Sequence, residues 1–401
     1  MKTVIIKNNS SITISPGDKK EIDKIVELYK RGTYYSQGRT CYYKLNNVIN
    51  VDGIDYLYVK IKGCGCYEND GTITHPGLKP YYRKDPHFGI SELGHPILLC
   101  SDVAPYGGIL LNRAVNEFDN FTILRKNNVS TLLPLYVYKY TDLTFNGNEL
   151  GVSVSLCESV EPFRFDKLLQ TNDLMSTEYK NFYQDVFKSQ FNKRTQLDIN
   201  DKYRLIKRIG FLYGNEIRNF CNSGLYIHSG GWSNIQYSFK NKRVVLIDLD
   251  SSRIIKNESL RMLQNCRDIT SNIYRLFINM YNPNCIKDYS NEIILDTNYV
   301  YSILRGFCYN ADNKELVDIS NRINNYYIEN CFNRIKKIEN VMNEISDDEA
   351  KKYELDIMKF YDFCMTELSE VMLRENTSYS SCIRYKRRWN TWKKQRKRLY
   401  Y

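Results

Sequence analysis

The chain changes its hydrophobic period part-way along. In the N-terminal part the runs are short, β-branched and aromatic. Ile54-Asp-Tyr-Leu-Tyr-Val-Lys-Ile-Lys62 alternates at every second position, the period of a strand, and Tyr42–Val48, Val129–Tyr138 and Gly151–Cys157 read as further strands. Asn146-Gly147-Asn148 predicts a tight hairpin turn between the last two. Leu111, Val115, Phe118, Phe121 and Leu124 fall instead at helical spacing and predict an amphipathic helix over Leu110–Lys126, stopped by Asn127-Asn128. Glu117 sits at the edge of that stripe, where it can reach a strand lysine or lie in water. A lead-in helix is predicted over Lys20–Lys30 from Ile22, Ile25 and Leu28, after the punctuation of Ser15-Pro-Gly-Asp18.

Beyond Glu158-Ser-Val-Glu-Pro162 the period becomes helical. Helices are predicted over Phe165–Leu169, Thr177–Phe191, Asp201–Cys221, Glu258–Tyr281, Lys314–Ile345 and, after the capping box Ser346-Asp-Asp-Glu349, Ala350–Arg374. Asp201–Cys221 is the clearest, with Ile206, Ile209, Tyr213, Ile217 and Phe220 on one stripe, Asn200 or Asp201 as its cap and Gly224 past its end. The segment it leads into breaks the pattern: a polar, glycine-rich loop holding His228 and Asn234, then Val244-Val-Leu-Ile-Asp-Leu-Asp250. Asp268 lies at the rim of the buried stripe of the next helix, where a carboxylate needs a fixed partner.

Composition sets the class. A chain of 401 residues with 42% hydrophobic residues can bury a sizeable core. The apolar run near Met1 is too short for a signal-peptide core and no segment approaches a membrane span, so a soluble, cytoplasmic protein is expected. Twelve scattered cysteines form no disulfide framework; Cys64-Gly-Cys66 with His75, His87 and His95 is a weak zinc signal because no second cysteine pair follows. The net charge of +11 concentrates in residues 384–398, where Trp389 and Trp392 interleave with lysine and arginine. That tail suits nucleic acid, an acidic protein or an anionic surface, or else a terminal helix docked through its tryptophans.

The candidate chemistry is that of a nucleotide site. Lys60 and Lys62 share one strand face and can reach phosphates if that face looks into a cleft, or serve as solubilising charges if it faces water. Asn234, Asp248 and Asp250 supply the amide and carboxylate oxygens that a hard cation takes. On its own, His228–Asp250 is equally compatible with a hairpin whose polar residues cap turns. Arg31–Gly38 is an ordinary hairpin turn or a phosphate-covering one.

The order of these parts resembles the protein kinase-like superfamily over roughly Cys41–Phe277. The resemblance implies an α+β, bilobal fold: a β-rich N-lobe with one long helix (1–157), a largely helical C-lobe with the catalytic and metal loops (158–310), and a helical extension with the basic tail (311–401). By that resemblance Lys62 grips phosphates and Glu117 is its helical partner. Cys157 and Ser159 belong to the adenine-binding hinge, Asn234 and Asp248 hold metal, and Asp268 braces the catalytic loop. ATP and Mg²⁺ are the implied cofactors. Lys62-Gly-Cys-Gly65 is similar to the Lys-Gly-x-Gly of the selenoprotein O pseudokinases, which transfer AMP, although Ser233 stands where that pattern has aspartate before the metal asparagine. The kinase pattern also places His-x-Asp ahead of the asparagine; here His228-Ser229-Gly230 lacks the aspartate and Asn234 comes one residue early. His228 and Asp250 are the substitutes within reach of the pattern. The expected function is ATP/Mg-dependent transfer of a phosphoryl or adenylyl group to a hydroxyl, of a protein in the first instance. The competing expectation is an inactive pseudokinase that binds nucleic acid or protein through residues 384–398; a transferase acting on RNA is a third.

Overall fold

The computed structural model describes residues 2–28, 35–37, 39–67, 73–74, 76, 80–81, 87–90, 96–99, 104–158, 163–169, 175–193, 196–228, 230–280, 299–331 and 347–375. The architecture is mixed α/β, with an antiparallel sheet in the N-terminal part and helices in the C-terminal part. This is the layout that the kinase-like resemblance implies. The chain divides into two compact units, neither continuous in sequence: residues 1–85, 101–163 and 236–253 in the first, and 86–100, 164–235 and 254–401 in the second.

The first unit is built on strands β1 (Thr3–Asn8), β2 (Tyr35–Gln37), β3 (Thr40–Val51), β4 (Ile54–Lys62), β5 (Leu133–Phe145) and β6 (Asn148–Cys157). Their order across the sheet is β1-β5-β6-β4-β3-β2, and the short strand Ile109–Leu110 also pairs with β6. Two hairpins carry left-handed turn residues, Asp52-Gly53 (φ 55° and 75°) and Asn146-Gly147 (φ 48° and 76°), the geometry that matches the twist of antiparallel strands. Helix α1 (Pro16–Leu28) starts where the sequence suggested punctuation: Ser15 Oγ accepts from the Asp18 N–H at 3.0 Å, so Ser15-Pro-Gly-Asp18 is a helix entrance. Ile22, Ile25 and Val26 of α1 pack with Val59, Ile61, Tyr138, Val154 and Leu156 in one core.

Alternation then dictates what the other face carries. Lys60 and Lys62 project opposite to Val59 and Ile61; their ladder partners, Ser155 and Ser153, alternate with the core residues Val152, Val154 and Leu156. Helix α2 (Leu111–Lys126) supplies the buried residues Ala114, Glu117, Asn120, Phe121 and Leu124. The expected stripe is therefore rotated. Val115 and Phe118 are only partly buried, whereas Glu117, placed by periodicity at the edge, is wholly buried.

The second unit is helical: α3 (Thr177–Phe191), α4 (Ile199–Asn222), α5 (Arg261–Met280), α6 (Tyr299–Phe307), α7 (Asn313–Asn330) and α8 (Asp347–Glu375). The cap of α4 is Asp198, which accepts from the Asp201 N–H at 2.8 Å; neither Asn200 nor Asp201 has that role. Helix α6 has no counterpart in the sequence reading, and α7 ends at Asn330, with the remainder of the expected Lys314–Ile345 helix outside the described residues. Helices α4 and α6 cross at near backbone contact. A Cβ on Gly214 would lie 2.0 Å from the Ile303 carbonyl oxygen, and one on Gly306 equally close to that of Phe211, so no larger residue fits. Ser346 of the capping box, and residues 384–398, lie outside the described residues.

Candidate active site

Four of the eight predicted site residues converge on one ammonium group within the first unit. Lys62 Nζ lies 3.3 Å from Glu117 Oε1 and 3.0 Å from Asp250 Oδ2, and it also donates to Asp248. Lys60 Nζ stands 3.5 Å from the same Glu117 oxygen, and the second Glu117 oxygen accepts from Ser153. Lys62 is nearly inaccessible and Glu117 wholly so, which excludes the reading of the two lysines as solubilising charges. A carboxylate so deep is tolerable because two ammonium groups and a hydroxyl meet it.

The aspartates sit on the turn after strand β8 (Arg243–Leu246), which forms a hairpin with β7 (Ile235–Ser238). That hairpin fills the step between Asn234 and Asp248, as the spacing suggested. Strand β8 is anchored through the Leu246 N–H to the Ser130 carbonyl at 2.9 Å and the Thr131 hydroxyl to the Leu246 carbonyl at 2.7 Å. Asp248 adopts φ 62°, a conformation uncommon for a residue with a Cβ and concentrated at functional sites. Two helix residues hold the turn in that shape. Asn120 Nδ2 donates to the carbonyls of Leu249 (2.9 Å) and Ser252 (3.0 Å), and Asn116 Nδ2 to those of Asp250 (2.9 Å) and Ser252 (2.7 Å). Arg39 completes the cluster, reaching Asp250 at 3.3 Å and the Gly108 carbonyl at 3.2 Å.

The charges bias one another. Burial pushes the Asp248 carboxyl up, but Lys62, Lys60 and Arg39 outweigh it and hold the group well below the usual carboxylate range. Asp250 is likewise lowered: burial is overcome chiefly by Lys62, against the repulsion of Asp248. Burial works against the Lys62 ammonium too, and Asp248, Asp250 and Glu117 together raise its pKa. Both aspartates are therefore ionised at neutral pH beside an ionised lysine. Asp248 keeps about a quarter of its side-chain surface exposed (26%), against 5% for Asp250, so Asp248 is the more open to a cation from outside. Carboxylate oxygens of this kind are the hard donors that Mg²⁺ takes.

No family model matches the chain, and no curated protein matches it. Among solved structures it is similar to WaaP in complex with acyl carrier protein, at 12% identity over 81% of this chain and 98% of that one, with a TM-score of 0.35. It is also similar to an aminoglycoside phosphotransferase from Alicyclobacillus acidocaldarius, at 11% identity over 73% of this chain and 92% of that one, with a TM-score of 0.23. At such identities and scores, function has to be read from the side chains.

The other predicted residues are placed differently. Cys157 is buried at the end of β6, paired with Tyr58, and Ser159 lies outside the described residues. His228 and Asn234 belong to the second unit. His228 is fully buried, its ring edge-on to Phe220 and its Nδ1 3.4 Å from the Tyr213 hydroxyl. Tyr213 also donates to Asn272 and accepts from the Gly231 N–H at 3.1 Å. Asp268, expected at a rim, is wholly buried: it pairs with Arg267 at 2.6 Å and accepts from the N–H groups of Ile227 and His228. Burial raises its carboxyl to about 6, with Arg267 opposing. Asn234 is half-buried on a short 3₁₀ turn closed by its own N–H to the Gly231 carbonyl at 3.0 Å.

Sequence reading missed Arg39, Asn116, Asn120 and Ser153. A signal for two of them was present: Asn116 and Asn120 are one helical turn apart and flank Glu117, a polar strip on what becomes the buried face of α2. Arg39 carried no signal, because its contact with Asp250 joins residues 211 apart in sequence.

Proposed function

We propose that this chain is a kinase-like transferase that uses ATP and Mg²⁺ to move a phosphoryl or adenylyl group onto a hydroxyl, with a protein as the first substrate class to test. The observation that carries the reading is the buried Lys62–Glu117 pair together with two ionised aspartates on a strained, doubly clamped turn. A lysine braced by glutamate presents a fixed positive charge to phosphate oxygens, and the aspartates provide oxygen donors for the metal. Asp248 is the assigned metal ligand; Asn234 keeps its candidacy from the sequence pattern. Mg²⁺, when bound, neutralises phosphate charge. Lys62 contacts both aspartates, so the phosphate-binding charge and the metal donors lie side by side.

His228 is better assigned to positioning than to proton transfer, since a fully buried ring cannot meet an acceptor hydroxyl. In the proposed step the acceptor oxygen forms a bond to one phosphorus of ATP. The leaving group is ADP if the γ-phosphorus is attacked and pyrophosphate if the α-phosphorus is; the hydroxyl proton passes to solvent or to a basic group. Incubation with ATP labelled at the α or the γ phosphate tests this directly, and label must move from one position and not the other. Absence of transfer from both, with Mg-ATP still bound, would favour the second reading, an inactive nucleotide-binding scaffold. The missing His-x-Asp aspartate at His228-Ser229-Gly230 is the observation behind that alternative.

A further inference from the structure

The first unit contains a cavity of about 430 Å³ that borders the Lys62 cluster through Asp250 and opens beside the first turn of α2. Its lining includes three arginines, Arg39, Arg113 and Arg253, against the single carboxylate of Asp250. Arg39 is engaged with Asp250, and Lys62 neutralises Asp250 further. Arg113 and Arg253 make no hydrogen bond or ion pair among the described residues, and neither does the Ser251 hydroxyl, whose oxygen is buried in the same lining. Asn112 on the exposed face of α2 adds an amide, and α2 begins beside the cavity without a side-chain cap.

Arg253 is exposed and Arg113 half-buried, so both guanidinium groups are accessible from the cavity, and their forked N–H groups match the oxygens of a phosphate. The volume lies within the range of small-molecule sites, about 300–1,000 Å³, and leaves room for more than a bare ion. We propose that this cavity is a second anion site, taking the phosphoryl group of a small phosphate monoester through Arg113, Arg253 and Ser251. The nucleotide reading is not needed for it, because none of these three residues belongs to the Lys62–Glu117–Asp248 cluster.

Isothermal titration of the full chain in low-chloride buffer tests this, with glycerol 3-phosphate and inorganic phosphate as probes. The ester is expected to bind at least as tightly as free phosphate. Arg113→Gln with Arg253→Gln is expected to weaken both by at least tenfold, about the loss of one charge-assisted contact, while the melting temperature and Mg-ATP binding are kept. Asp248→Ala, which keeps Lys62 on Asp250, is expected to leave ester binding unchanged. No ester binding by the wild type, wild-type affinity in the double arginine variant, or loss of ester binding in Asp248→Ala would each overturn the proposal; the last would assign the anion to the nucleotide cluster instead. Binding of free phosphate with exclusion of the ester would overturn the assignment to a monoester.

Discussion

Asn120 ties helix α2 to the aspartate turn by donating from one amide nitrogen to the carbonyls of Leu249 and Ser252. The helix that carries Glu117 thus also fixes the backbone that carries Asp248 and Asp250, so the glutamate and both aspartates that meet Lys62 of β4 are set by one element. Asn120→Ala would leave two carbonyl oxygens without this donor, at a cost of about 1–3 kcal/mol. Urea denaturation should register that loss, and Mg-ATP affinity should fall with it. A variant that kept Mg-ATP affinity while losing stability would separate the clamp from the site.

Glu117→Leu removes the carboxylate that faces both Lys60 and Lys62, taking away a counter-charge from two buried ammonium groups. Breaking a buried ion pair on one side costs about 3–5 kcal/mol. Lys60→Met in the same background should recover part of that loss. Equal stability of the single and double variants, measured by chemical denaturation, would contradict the shared-carboxylate arrangement.

Much of this geometry was legible in the sequence, for a definite reason. Strand alternation in Ile54–Lys62 puts Lys60 and Lys62 opposite Val59 and Ile61, and helical spacing brings Glu117 within reach, so local periodicity alone selects the pair. What periodicity could not supply was the third dimension. It set Glu117 at the margin of α2 because it counted apolar residues, whereas a strip of buried polar partners on the sheet turns that side of the helix inward. Helix α6 escaped for a different reason: Tyr299–Phe307 spans only nine residues, too short a window for a helical period to stand out from a short apolar run.

Asp268 gives a pH signature to the second unit. Its carboxyl titrates at about 6 when folded, against 3.8 when unfolded, so between those values the native chain holds a proton that the unfolded chain has released. Its contribution to stability therefore falls as pH rises through that window, by at most about 3 kcal/mol. Asp248 and Asp250, held below 3.8, act with the opposite sign: their contribution is present above that value and is lost as pH falls. Denaturation of wild type and Asp268→Asn across pH 4 to 6 should show the Asp268 slope in the first and not in the second.

The α4–α6 crossing predicts a sharp steric limit. Gly214→Ala drives a methyl group against the Ile303 carbonyl and should cost at least about 1–3 kcal/mol, with a lower melting temperature. A variant as stable as wild type would rule out so close a crossing.

The most direct test of the central claim is calorimetric titration of ATP into the full chain with and without Mg²⁺, for wild type and Asp248→Ala. Wild type should bind ATP, and bind it more tightly with Mg²⁺; Asp248→Ala should lose the Mg²⁺-dependent gain while keeping its fold. An affinity for ATP indifferent to both Mg²⁺ and Asp248, or no affinity at all, would contradict the assignment of the Lys62–Asp248 cluster to a metal–nucleotide site.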